Sequence, residues 1–86
     1  MTASYLIRSV EHLGGYRLRL TFADGFVADV DLADKVTDAA GPVFAPLRDI
    51  AVFAQVRLDE ELGTIVWPNG ADLAPETLRA RAHAVA

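Results

Sequence analysis

Tyr16-Arg17-Leu18-Arg19-Leu20-Thr21-Phe22 runs into Ala23-Asp24-Gly25 and then into Phe26-Val27-Ala28-Asp29-Val30-Asp31. Tyr16, Leu18, Leu20 and Phe22 alternate with Arg17, Arg19 and Thr21, the period of two that a half-buried strand imposes. Alternation resumes after the turn, so the stretch reads as a hairpin. Its loop length follows from the faces. A two-residue Asp-Gly loop would set Leu20 against Asp29 and turn a carboxylate toward the core. A three-residue loop, Ala23 to Gly25, pairs Phe22 with Phe26, Leu20 with Ala28 and Leu18 with Val30. One face is then wholly apolar, while Arg19 faces Asp29 and Arg17 faces Asp31 on the other. Gly25 takes the left-handed position of a type I turn with a bulge.

Working outward, Tyr5 to His12 is predicted as a strand ended by Gly14-Gly15. Its faces are mixed, with Leu6 and Val10 on the side of Arg8 and His12, as suits an edge strand. Asp31 to Val36 reads as one or two helical turns, with Asp31 as cap and Asp34 near the positive end of the dipole. Thr37 to Pro42 is loop. Pro46 opens a second short helix through Phe53, and Phe44, Leu47, Ile50 and Phe53 recur every third residue to seal one end of the core. Gln55–Asp59 and Gly63–Trp67 form another hairpin through Glu60, Glu61 and Leu62. Pro68-Asn69-Gly70 breaks the strand. Pro75 starts a last helix with Leu78, Ala82 and Val85 as its apolar stripe, behind Ala74, a poor N-cap. The predicted fold class is α+β: an antiparallel sheet of about five strands in two hairpin regions, short helices, and a C-terminal helix packed on the sheet. At 86 residues, the chain 1–86 is expected to form a single domain.

Composition narrows the function. Apolar residues make up 52% and charged residues 23%, an ordinary globular balance. The net charge is −4, and the eight basic residues are scattered, with Arg79 and Arg81 as the only local pair. This charge argues against direct nucleic-acid binding. There is no cysteine, which excludes disulfides and thiolate chemistry. No apolar run reaches the ~20 residues of a membrane span, and Met1 to Tyr5 does not begin a signal peptide. The expected location is the cytoplasm.

No catalytic, metal-binding or cofactor-binding constellation emerges, and the chain is expected not to be an enzyme. His12 and His83 lie far apart in sequence and read as surface histidines, His83 beside a helix C-terminus. Ser4 and Ser9 lie in the first strand region, and no Gly-x-Ser-x-Gly elbow is present. Asp59-Glu60-Glu61 reads as a solvated hairpin tip. Asp29 and Asp31 could bind a hard cation, but Arg19 and Arg17 opposite them favour ion pairs. The most distinctive segment is Trp67-Pro68-Asn69-Gly70-Ala71-Asp72, which holds the only tryptophan. Its architectural role is a turn that steers the last helix back onto the sheet, with Asp72 accepting amides at that helix's start. Its functional role would be an interaction patch of Trp67, Pro68, Asn69, Gly70 and Asp72, since a partly exposed Trp beside polar groups suits an interface.

The order Leu18-Arg19-Leu20-Thr21-Phe22-Ala23-Asp24-Gly25, Val30-Asp31-Leu32, Phe44 with Leu47-Arg48-Asp49, Phe53, and Ile65 through Leu78 resembles domain of unknown function 2442. Trp-Pro-Asn-Gly-x-Asp is the specific part of the likeness. The resemblance implies a small bacterial α+β domain with no established catalytic residues to carry over. Some members stand alone, some carry a helix-turn-helix, and many lie beside toxin-like or antitoxin-like genes. Here one helix follows the motif, and no attached DNA-binding domain is expected. The leading functional expectation is a non-enzymatic protein-interaction or regulatory module. Its partner would be an adjacent-gene product, as in an antitoxin-like role toward a small toxin. The alternative is a small-ligand sensor with a pocket between the sheet and Phe44–Phe53. Homo-oligomerisation through the exposed first strand is a third possibility.

Overall fold

The structure, a computed structural model, describes residues 6–37 and 44–84. Tyr5, Val85 and most of the loop between Thr37 and Pro42 lie outside the described residues. The chain runs through β1 (Ile7–Gly14), β2 (Arg17–Phe22), β3 (Val27–Asp31), α1 (Ala33–Thr37), a 3₁₀ turn (Ala45–Arg48), α2 (Ile50–Phe53), β4 (Arg57–Asp59), β5 (Thr64–Val66), α3 (Pro75–Arg81) and β6 (His83–Ala84).

The central hairpin has the three-residue loop. Leu20 pairs with Ala28, Leu18 with Val30, Arg19 with Asp29 and Arg17 with Asp31. Phe22 donates its N–H to Phe26 O at 2.9 Å, and Gly25 takes φ +89°, the left-handed backbone a bulged type I turn needs. Leu18, Leu20, Phe22, Ala28 and Val30 are all buried. The alternation thus sets the register, because any slip would exchange this set for the charged one.

The strands divide between two antiparallel ladders, β1-β2-β3-β6 and β4-β5, with register Arg57↔Val66, Leu58↔Ile65 and Asp59↔Thr64 in the second. Ile7 N–H donates to Gly63 O at 2.7 Å, which ties the second hairpin to the start of β1. A register shift between Ile7 and Ser9 explains the mixed faces of β1. Ile7 opposite Phe22 and Val10 opposite Leu20 both turn inward across this bulge, and Arg8 is left exposed.

Two helical expectations are corrected. The stretch from Pro46 to Phe53 is not one helix: Asp49 interrupts it in extended conformation and caps α2, accepting from Ala51 N–H at 2.9 Å. The new start rotates the three-residue pattern out of register. Leu47 and Phe53 are buried, but Ile50 is 46% exposed. The last helix is also shorter than its stripe. It ends at Arg81, and His83 pairs with Asp29 as part of β6. His83 is thus a strand residue at the far edge of the sheet. Leu78 is the buried anchor of α3. One core cluster joins the apolar face of the hairpin to Leu32, Val36, Leu47, Phe53, Ile65, Trp67 and Leu78.

Candidate functional site

The segment after β5 folds as a tight, self-bonded turn. Trp67 N–H donates to Ala71 O and Gly70 N–H to Trp67 O, each at 2.9 Å, while Val66 and Asp72 form an isolated antiparallel bridge. Asn69 Oδ1 accepts from Ala71 N–H at 3.2 Å. Gly70 holds φ +89°, which a residue with a Cβ adopts only at a cost. Below the turn, Thr64 Oγ1–H donates to Leu73 O, which satisfies the buried hydroxyl.

Trp67 does not belong to an exposed patch. It is 2% exposed, its ring centroid lies 5.6 Å from that of Phe53, and its Nε1–H donates to Phe53 O at 2.9 Å. The large apolar ring is drawn inward and its one donor is satisfied there, which leaves neither for a partner. Pro68, Asn69, Gly70 and Asp72 are exposed above it. Asp72 enters the fold through its backbone bridge, and α3 begins after Ala74, an N-cap with no side-chain hydrogen bond.

Charged side chains tie distant parts of the chain together. Arg79 pairs with Asp24 at 3.1 Å, and its guanidinium stacks 4.1 Å from the Phe26 ring centroid and 4.9 Å from that of Phe22. Arg81 pairs with Asp34, donating from Nη1 to Oδ1 at 2.8 Å. Arg19 donates from Nε to Asp29 Oδ1 at 2.9 Å. Arg17 reaches diagonally to the same carboxylate at 3.9 Å, so the expected Arg17–Asp31 pair exists in register alone. Asp31 turns instead to Ala33 N–H at 2.9 Å and opens α1. The hydrogen bonds from Arg79, Arg19 and Arg81 hold the Asp24, Asp29 and Asp34 carboxyls below their ordinary range. Arg19 and Arg81 are raised in turn by the same bonds to Asp29 and Asp34. The one local basic pair of the sequence is therefore committed to carboxylates, 55 residues away for Arg79 and 47 for Arg81.

His12 Nε2 lies 2.9 Å from the Gly15 carbonyl oxygen and its ring contacts Phe53 at 5.7 Å, so it is part of the wall of the core and not a free surface group. At the second hairpin tip, Asp59 Oδ1 accepts from Glu61 and Leu62 N–H at 3.0 and 3.1 Å. Glu60, Glu61 and Leu62 are exposed beyond it. An open groove of about 480 Å³ runs between the start of β1 and this hairpin. Leu6, Ile7, Ala23, Leu58 and Gly63 line it, together with Arg8 and Glu60. This groove was not legible from the sequence, and it is not where a ligand pocket was expected. Beside Phe44–Phe53, Leu47 and Phe53 are buried, and the Tyr16 ring packs edge-on against Phe53 with its hydroxyl donating to Arg48 O.

The family model described as "Protein of unknown function (DUF2442)" matches residues 7–84. The chain belongs to the DUF2442 family. It is also similar to the crystal structure named "Putative DNA Binding Protein NE0471" from Nitrosomonas europaea ATCC 19718, at 33% identity and a TM-score of 0.75. The match covers 88% of this chain and 47% of that one, so the chain spans about half of its neighbour's length. No curated protein matches the chain significantly. In this DUF2442 domain the Trp-Pro-Asn-Gly-x-Asp motif has an identifiable structural task. Trp67 anchors it, Asn69 and Gly70 shape it, and the short bridge to Val66 aims the chain at α3. Among the described residues no helix is long and apolar enough to cross a membrane.

Proposed function

We propose that this DUF2442 domain is a non-enzymatic interaction module that binds a basic protein partner through the exposed turn Pro68–Gly70 and the acids Asp72 and Glu76. The observation that carries this reading is the unequal commitment of charge. Arg19, Arg79 and Arg81 are each held by a carboxylate within the fold, whereas Asp72 and Glu76 stand exposed beside a rigid turn in a chain of net charge −4. A surface of that kind steers association with a positively charged partner. A small toxin encoded beside this gene is the partner class we favour, with the domain as its neutralising half. DNA binding, which the name of the Nitrosomonas protein suggests, has weaker support here, because Arg79 and Arg81 are drawn into ion pairs.

Co-expression with the adjacent-gene product tests the reading. The two proteins should co-purify, and a variant carrying Asp72→Lys and Glu76→Lys should fold normally and lose the complex. A neighbour that never co-purifies, together with salt-sensitive binding of the domain to duplex DNA, would replace this reading with the nucleic-acid one.

A further inference from the structure

Leu6 and Leu62 are two of the four large hydrophobic side chains exposed among the described residues, at 38% and 55%. One glycine, Gly63, lies beside both. Leu6 packs so closely over Gly63 that a Cβ there would fall 2.4 Å from Leu6 Cδ2, and Leu62 directly precedes that glycine. Leu6 and Gly63 line the groove at the start of β1, where the second hairpin is tied to the strand by the bond from Ile7 N–H to Gly63 O. Arg8 and Glu60 both line it. No ion pair joins them, and neither is paired elsewhere among the described residues. One groove therefore offers an apolar floor, a free cation and a free anion.

From this we infer that the groove is the interface of a two-fold homodimer. A surface with one unpaired positive and one unpaired negative group complements a copy of itself. A two-fold axis through the groove brings Arg8 of one protomer to Glu60 of its partner and repeats the contact on the other side. The same operation covers the exposed Leu6 of each copy and brings Leu62, which directly precedes Gly63, to the margin of the contact. An unrelated partner of uniform charge would satisfy one of the two groups and oppose the other. This surface is separate from the turn at Pro68–Asp72, so the dimer stands whether or not that turn binds a basic protein.

Sedimentation of the wild-type chain and of two charge reversals, Arg8→Glu and Glu60→Arg, decides the matter. The wild type should be dimeric. Each reversal alone should weaken the dimer by at least ~100-fold, because symmetry repeats the like-charge contact twice. An equimolar mixture of the two variants should dimerise again. One variant then presents two acids at these positions and the other two bases, so opposite charges meet at both contacts of the mixed interface. That rescue also shows both variants to be folded. Leu62→Asp gives a second handle, with the expected result of a folded monomer that the mixture does not rescue. A wild type that stays monomeric at high concentration, single reversals that stay dimeric, or a mixture that stays monomeric would each overturn the inference. The first of these would leave the groove to an unlike partner.

Discussion

Replacing Trp67 by Phe removes one hydrogen bond and a slice of ring from the centre of the fold. The indole N–H to Phe53 O bond is 2.9 Å long and buried, so its loss is worth ~1 kcal/mol. The cost stays near that value because Phe53 O also accepts from Val56 N–H at 3.2 Å and is not orphaned. The smaller ring leaves a void beside Phe53 and the β5 side of the core, and lost contacts with the cavity add ~1–2 kcal/mol. The expected total is ~2–3 kcal/mol. At about 4–8 °C per kcal/mol for a domain of this size, the melting temperature should fall by roughly 10–20 °C. Thermal and urea melts followed by far-ultraviolet circular dichroism measure this directly. Asp72→Ala, at an exposed position in the same motif, is the control and should stay within ~0.5 kcal/mol of the wild type. A Trp67→Phe domain that matched the wild type would refute the anchoring role, and with it the reason for placing only the turn above it at the surface.

Three further outcomes follow from the same geometry. Ala74→Ser should stabilise the domain by ~1 kcal/mol in urea melts, because Ala74 already has the extended backbone of an N-cap and lacks only the acceptor. Gly63→Ala should be destabilising both through its φ of +68° and through collision with Leu6. In a Leu6→Ala background only the backbone part, ~1–2 kcal/mol, should remain, and equal costs in both backgrounds would deny the contact. Acid titration of stability should reflect Asp24, Asp29 and Asp34, whose carboxyls are lowered by Arg79, Arg19 and Arg81. Their contribution is complete above the unfolded carboxyl value of about 3.9 and is lost as pH falls through the depressed folded values, so the decline should begin below about pH 4 and flatten in Asp34→Asn.

The legible parts of this fold were those with a period. The central hairpin announced its register because only one loop length keeps Asp29 out of the core; the second hairpin was visible as a strand pair, although all three residues of β5 are buried. What broke a period was hidden. The bulge after Ile7 moves one residue's worth of register without any glycine to mark it. Asp49 did carry a signal, a capping residue inside a three-residue repeat, and reading it would have placed Ile50 outside. Two-residue β6 is too short to show alternation at all. The pairs Arg79–Asp24 and Arg81–Asp34 join residues that only the fold brings together, so the basic doublet of the last helix looked available when it was not. The motif around Trp67 was visible, but its direction was not. A tryptophan at the end of a strand can close the core or face solvent, and here the deciding partner, Phe53 O, lies 14 residues upstream.

The central claim is that Trp67 is an interior anchor whose exposed neighbours carry the surface role, and fluorescence of this single tryptophan tests it most directly. The native domain should emit at the short wavelengths of an apolar environment, resist acrylamide, and move to the water-like maximum only when urea unfolds it. Native emission already at the water-like maximum, quenched as readily before urea as after, would contradict the account.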